Sequence, residues 1–472
     1  MLTSHDKNFS VIVLAAGKGK RMKSDTPKVL HEICHKPVLY YILTSVFKLN
    51  PEKVFVVTGS GREKVEAYLG ENFADCVPVF QENQLGTAHA VLSVKKHLKE
   101  IAETTLILPG DVPLISWRTL KELLDFKKSG GFNAVLVSAI SGNPTGYGRI
   151  VKDGGGNVTG IVEEADASDT QRNIKEINTS IYCMDSDLLF DLTGGIKSEN
   201  AQNEFYLTDI IKEISSNKSL RLGVYTVKNP LEAEGVNDRV QLQNLEKVMQ
   251  SRINESLMLS GVTLRDSATI YIDPETTIGN DTVIEPFSFL IGKTSVGSNC
   301  VIGPFARIKD SVIGEGTKVS NSVIQESKIG RFNSIGPTSF IRPGTVTGDN
   351  VKIGACCEIK KSVIADGAKV PHLSYIGDAE IGKDVNVGAA TVTCNYDGFH
   401  KNKTVIEDGV FIGSDTMLVA PVRVGKGSIT AAGSVISEDV PPDSLAIERT
   451  KQVNIKEWAK KFREKKERED SR

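Results

Sequence analysis

Short β-branched runs at 11–14, 54–58, 105–108 and 134–138 are continuously apolar, and the segments 63–69, 88–98 and 120–127 between them repeat apolar positions at helical spacing. Continuous apolar strands interleaved with helices predict an α/β domain over 1–237, built on a mainly parallel sheet covered on both faces. Ligands of such sheets lie beyond the carboxyl ends of the strands, which points to the loops after Leu14 and Leu108. From 230 to 260 the pattern changes. Val240, Leu242, Leu245, Val248, Ile253 and Leu257 recur at a helical period among Gln, Asn, Glu and Arg. This predicts one long helix starting at Pro230, with a linker at 238–260.

A period of six takes over near Gly261. Ile278, Ile284, Leu290, Val296, Ile302 and Ile308 are evenly spaced, and the step resumes at Ile329, Ile335 and Ile341, at Ile381 and Val387, and at Ile412, Leu418 and Val424. Hexapeptide periodicity predicts a parallel β-helix over 261–450, whose stacked coils bury one aliphatic ladder. Two segments interrupt it: 372–375, expected to break register, and a non-repeating insertion running from Cys394 to Phe411. The tail at 451–472 alternates in charge and reads as a solvated helix.

A formal net charge of -2 removes a basic footprint as an argument for nucleic acid. Seven cysteines fit neither a zinc ribbon nor a disulfide framework, and adjacent Cys356 and Cys357 read as strand neighbours pointing to opposite faces. A core strand at 10–16 leaves no room for a signal segment, and the apolar stretch 38–47 is far short of the roughly 20 residues that span a bilayer. The expectation is a cytoplasmic protein with reduced thiols.

The run Leu14-Ala15-Ala16-Gly17-Lys18-Gly19-Lys20-Arg21-Met22 follows the first strand, and its glycines let the backbone approach a phosphate. Met22 replaces the third glycine of a dinucleotide fingerprint, and no Gly-Lys-Ser/Thr closes a Walker loop. Arg21 and Lys28 are cations suited to a triphosphate. Asp111 ends a central strand, where a carboxylate suits magnesium, although an exposed turn aspartate would look the same. His31-Glu32-Ile33-Cys34-His35 matches a zinc-protease pattern, but Pro37 follows too soon for the helix which that motif needs.

The 14–22 loop, Pro27-Lys28-Val29-Leu30, the segment 84–90 (QLGTAHA) and the turn 110–114 (GDVPL) resemble the sugar-nucleotide pyrophosphorylases. Segments 144–149 (PTGYGR), 161–164 (IVEE), 176–179 (EINT) and 234–237 (EGVN) extend the likeness to a bacterial bifunctional family. In that family an N-acetylglucosamine-1-phosphate uridyltransferase is fused to a glucosamine-1-phosphate acetyltransferase. The resemblance spans 10–449 and implies a Rossmann-like first domain and a left-handed β-helix. It also implies that Leu14, Ala15, Gly17, Gln81, Gly86 and Thr87 hold the uracil and ribose of UTP, and that Arg21 and Lys28 are the catalytic cations on the phosphates. Asp111 and Asn237 would bind Mg2+, and Gly148, Glu163 and Asn178 the N-acetylglucosamine. Pro109 stands where that family often has an aromatic residue or serine. Because a sugar phosphate is already anionic, its attack on a phosphorus needs positioning and charge neutralisation rather than a base.

In the β-helix, segments 341–344 (IRPG), 358–361 (EIKK), 372–378 (HLSYIGD) and 394–398 (CNYDG) match the same family in order. An amine must lose its proton as it attacks a thioester, and a histidine of near-neutral pKa is the natural base. The resemblance assigns this to His372, with Glu358 as the carboxylate orienting it. It places Arg342, Lys360, Tyr375 and Asn386 on the acceptor sugar phosphate, and Ala389, Asn395, Tyr396, Ser414, Ala432 and Arg449 toward acetyl-CoA. Ala390 replaces a glycine usual in the family. A homotrimer through the β-helix is implied, with coenzyme A between subunits. Two other layouts share this order of domains: a single-activity sugar-phosphate nucleotidyltransferase with a regulatory β-helix, and a non-catalytic assembly subunit.

Overall fold

The computed structural model describes residues 8–198, 200 and 202–470; residues 1–7 of the expected first domain and 471–472 of the tail lie outside the described residues. The chain divides into two compact units, Met1–Arg252 and Ile253–Arg472.

The first unit is built on a nine-stranded mixed sheet. Its main path runs Leu222–Thr226, Ala134–Ile140, Glu176–Asp185, Thr104–Pro109, Phe9–Leu14, Lys53–Thr58 and Cys76–Phe80. Phe9–Leu14 is parallel to both of its neighbours, and its central residues Val11, Ile12 and Val13 are fully buried, as a strand covered on both faces requires. The exception is Glu176–Asp185, antiparallel between Thr104–Pro109 and Ala134–Ile140, with a register shift between Asn178 and Tyr182. Asn178 still pairs with Ser138, and the shift bulges 179–181 out of the ladder at the end nearest the cleft described below.

The zinc-like motif is not helical. Glu32–Ile33 pairs antiparallel with Lys36–Pro37 around Cys34 and His35, both at positive φ (46° and 55°). This is a two-residue hairpin turn, so the two histidines share no helix face. The connecting helix also differs from expectation. It spans Arg239–Leu259, while Pro230–Ala233 is a separate 3-10 turn capped by the Asn229 side chain, and Glu234 is extended. The Asp238 carboxylate accepts from the N–H groups of Val240 and Gln241 (2.9 Å each) and sets the helix start.

The second unit is a left-handed parallel β-helix with three faces of 11, 10 and 9 strands. Val283 pairs with Val301, eighteen residues on; Val301 pairs with Lys318, seventeen on; and Lys318 with Ser334, sixteen on. The apparent break between Ile308 and Ile329 is thus a set of corners each shortened by a residue. The buried ladder itself runs on through Ile308, Ile313, Val319 and Ile324 to Ile436. Many corners carry Asn or Asp at positive φ, such as Asn299 and Asp384, where a short polar side chain tolerates the left-handed region.

Three expectations are corrected here. Residues 372–375 do not break register, because Val370 and Ile376 are both fully buried, six apart, and His372 pairs with Ala355. The insertion closes earlier than Phe411: Ile406 is back in the ladder, and the excess lies before the strand Thr404–Ile406. Cys356 and Cys357 do differ in exposure, but they sit at a corner (Cys356 φ 55°) rather than within a strand. The helix Trp458–Asp470 has no buried residue, as expected of a charged tail. Among the described residues no helix is long and apolar enough to cross a membrane.

Candidate active sites

A cleft of about 550 Å³ opens at the carboxyl ends of the strands Phe9–Leu14 and Thr104–Pro109. Its lining contains Leu14, Ala15, Gly17, Lys28, Gln81, Gly86, Thr87, Asp111, Asn178 and Asn237, brought together from segments more than 200 residues apart. Arg21, Gly148 and Glu163 are not in that lining. Gly148 lies just behind it, its carbonyl accepting from Asn178 N–H (2.8 Å), and a Cβ on Gly148 would come within 3.2 Å of the Glu163 carboxylate. Arg21 is exposed beside the cleft; burial raises the Tyr147 pKa, and the Arg21 charge offsets only a part of that.

Two glycines explain themselves. Gly86 has φ +115°, and a Cβ there would fall 2.5 Å from the Phe205 carbonyl oxygen. Gly17 is the opposite case: a Cβ meets nothing within 4 Å. Packing does not demand glycine at 17, whereas a ligand approaching the backbone would.

The Lys28 ammonium pairs with the Asp111 carboxylate and lies 3.4 Å from Asn237 Oδ1. Each partner is held by its own backbone. Lys28 sits on the 3-10 turn Lys28–Leu30. The Asp111 carbonyl accepts from Val236 N–H (2.8 Å), strapping 235–237 across the strand end, and Asn237 N–H donates to Gln241 Oε1 (2.8 Å) at the start of the long helix. Two side-chain oxygens therefore converge on one cation position, here marked by the ammonium. An all-oxygen donor set that leaves room for water and phosphate suits magnesium.

Around the far end of the cleft, burial holds the Glu163 carboxyl above its usual pKa, and nearby Asp166 and Asp209 push the same way; the Thr208 hydroxyl (3.2 Å) partly offsets this. Asn178 is buried and bonded to the Tyr182 hydroxyl (2.9 Å). Gln81 is buried with its amide nitrogen spanning the Gly86 carbonyl (3.2 Å) and His89 Nδ1 (3.0 Å), so it shapes the 81–89 turn.

In the β-helix the register sorts the expected residues into columns. Phe340, Glu358, Tyr375 and Val392 succeed one another on one face, with Arg342 and Lys360 stacked beside them a coil apart, about 4.8 Å in such ladders. On the adjoining face Lys369, Asn386, Phe411 and Ile429 are in register. Three residues further along each strand, the same register aligns His372, Ala389, Ser414 and Ala432 at one corner. Asp415 N–H donates to the Ala389 carbonyl (2.7 Å), Gly433 N–H to that of Ser414 (2.8 Å), and the Arg449 guanidinium to that of Ala432 (2.8 Å). Only small side chains follow the exposed His372 in this column.

One expected contact is absent. Glu358 accepts from Arg342 Nη1 (2.7 Å), and among the described residues no hydrogen bond joins it to His372. Arg342, on the same face and always charged, is the stronger partner for a half-exposed carboxylate. Asn395 is buried with its amide on the Asp378 carboxylate, while Tyr396 lies exposed in the insertion under the Lys401 ammonium, 3.8 Å from its ring centroid.

A nucleotidyl transferase family model matches residues 10–229, and a GMPPB C-terminal domain model matches 267–353 and 329–440. Three relatives called bifunctional protein GlmU align over nearly the whole chain. That of Carboxydothermus hydrogenoformans is 47% identical over 95% of this chain and 99% of its own. That of Pelotomaculum thermopropionicum is 49% identical over 97% and 100%, and that of a Geobacillus species 48% over 95% and 96%. The chain belongs to the bifunctional GlmU family. Its first unit carries the nucleotidyltransferase fold of that family, and the chain is an enzyme acting on small molecules.

Sequence reasoning passed over three residues near the GlmU-type cleft. Tyr147 and Glu204 line it, and Arg149 is almost wholly buried beneath it. Tyr147 and Arg149 stood inside a quoted motif, but nothing in their spacing told which would face the cleft and which the core.

Proposed function

We infer that the two units catalyse successive steps in making UDP-N-acetylglucosamine, a precursor of cell-wall polymers. In the β-helix, the amine of glucosamine-1-phosphate attacks the carbonyl of acetyl-CoA; the C–S bond breaks and the amine proton passes to His372. Arg342 and Lys360, stacked on one face, take the sugar phosphate, with Tyr375 and Asn386 on the sugar. The corner column of Ala389, Ser414, Ala432 and Arg449 receives coenzyme A, with Asn395 and Tyr396 beside it. In the cleft, a phosphate oxygen of N-acetylglucosamine-1-phosphate attacks the α-phosphorus of UTP and the bond to pyrophosphate breaks. Leu14, Ala15, Gly17, Gln81, Gly86 and Thr87 orient the nucleotide, while Gly148, Glu163 and Asn178 hold the sugar. Asp111 and Asn237 would hold Mg2+, which supplies charge neutralisation at the phosphates. Lys28 and Arg21 share that work, and Lys28 must leave Asp111 to do so.

The observation that carries this reading is the pair of separate arrays: Lys28, Asp111 and Asn237 around one cation position, and His372 heading a column of small residues. A β-helix that served only to regulate would need no such column. The product of the β-helix is the substrate of the cleft, so the order of reaction runs against the order of the chain. A homotrimer through the β-helix in the cytoplasm is part of the same reading.

The test uses the full chain. His372→Ala should abolish acetyl transfer and spare uridylyl transfer; Asp111→Ala should do the reverse. Equal loss of both activities in either variant would count against two separate sites.

A further inference from the structure

We propose that Arg149 is a positioning residue for the sugar-phosphate end of the N-terminal cleft, locking the 144–148 turn from behind. This rests on the uridylyl-transfer reading above. The Arg149 side chain is 1% exposed and heads the largest fully buried side chains of the chain. An arginine buried to that degree is costly unless its charge and donors are used. Nη1 donates to the Tyr147 carbonyl, and Nη2 faces Glu164 (2.8 Å) and the Arg172 carbonyl (3.4 Å).

These contacts converge on one turn. Glu164 Oε2, besides pairing with Arg149, accepts from Gly146 N–H (3.1 Å), and Tyr147 N–H closes back on the Pro144 carbonyl (3.2 Å). Gly146 has φ +86° at the third position of that turn, the conformation in which glycine is favoured. The guanidinium thus holds the turn at its third and fourth residues, by Gly146 N–H through Glu164 and by the Tyr147 carbonyl directly. Held this way, Tyr147 lines the cleft and the Gly148 carbonyl meets Asn178.

Arg149 itself does not line the cleft. Its effect has to pass through the turn, so it should touch the acceptor sugar phosphate and leave the nucleotide end, built from 14–21 and 81–87, nearly unmoved. Nε is buried without a partner, so the paired Nη1 and Nη2 groups carry the contacts to the turn. Lysine keeps the charge but cannot reach two diverging acceptors at once.

The test is steady-state kinetics on the full-length protein with UTP and N-acetylglucosamine-1-phosphate, with acetyl transfer assayed in the same samples as the control for chain integrity. Arg149→Lys should raise KM for the sugar phosphate 10-fold to 100-fold, leave KM for UTP within about 3-fold, and leave acetyl transfer unchanged. Glu164→Gln, at a third-exposed position that keeps an acceptor for Gly146, should shift the same KM in the same direction by about 3-fold to 10-fold. Equal rises in both KM values, or no change in either variant, would overturn the proposal. Absence of uridylyl transfer in the unmodified protein would instead overturn the reading on which it rests.

Discussion

Ile359 lies on the coil that carries Glu358 and Lys360, is fully buried, and stacks in register between Ile341 below and Ile376 above. Replacing it with alanine removes three carbons, worth about 2.5 kcal/mol of transfer free energy at ~0.8 kcal/mol per methylene. The hydrogen-bonded coils on either side cannot collapse into the space, so the cavity brings the total to about 4 kcal/mol, inside the range for buried isoleucine. Ile359→Val should cost about 1 kcal/mol by the same account. In a solenoid the loss falls on the coil and its immediate neighbours, because each coil touches only those beside it. The assay is residual activity after heating, with both activities followed in one sample at fixed protein concentration. Acetyl transfer in Ile359→Ala should fail about 10 °C lower than in the unmodified chain, as ~4 kcal/mol implies for a unit of this size, and the valine variant should lie between. Uridylyl transfer should keep its midpoint. Parallel failure of both activities, or an alanine variant as heat-resistant as the parent, would refute the reasoning.

Three further outcomes are expected. Burial raises the Glu163 pKa, so the folded chain binds that proton more tightly than the unfolded chain; its share of stability is complete below the ordinary value of 4.5 and is lost as pH rises through the raised one. Glu163→Gln should therefore gain in Tm over the parent as pH increases from acid to neutral while losing activity toward the sugar phosphate; a pH-independent Tm difference would contradict this. Gly86→Ala, which puts a Cβ 2.5 Å from the Phe205 carbonyl oxygen, should lower kcat/KM for UTP at least 10-fold with acetyl transfer intact, checked by initial rates. Chelation with EDTA should stop uridylyl transfer, restored by Mg2+, and leave acetyl transfer running; equal sensitivity of both would remove the metal from the cleft.

Periodicity made the two architectures legible without coordinates. A six-residue step admits little but a stacked coil, and apolar runs divided by helices admit little but a covered sheet, because in both the spacing of apolar residues is itself the geometry of burial. The Asp111 turn and the 14–22 loop could be singled out for a related reason: their chemistry sits next to a strand end, within one short segment. Where reasoning from spacing went astray, the cause was local. A five-residue step looks like a broken ladder in sequence, yet Ile308 and Ile313 are both buried because a corner can lose a residue without turning the ladder outward.

What spacing could not give is any relation across the chain. The meeting of Lys28, Asp111 and Asn237 depends on a 3-10 turn, a strand end and a helix start from three distant segments. The pairing of Glu358 with Arg342, rather than with His372, was decided by which residues share a face of the coil. The burial of Arg149 behind the 144–148 turn was decided by an antiparallel strand pairing. In the β-helix the column of His372, Ala389, Ser414 and Ala432 follows from a register that includes a twenty-five-residue step, which no fixed period contains. Which surfaces must be buried is written in the local pattern of apolar residues, since burial follows that pattern. Which polar groups meet is settled by the fold, since hydrogen bonds and ion pairs act over a few ångströms between segments whose separation in the chain carries no information about their distance in space.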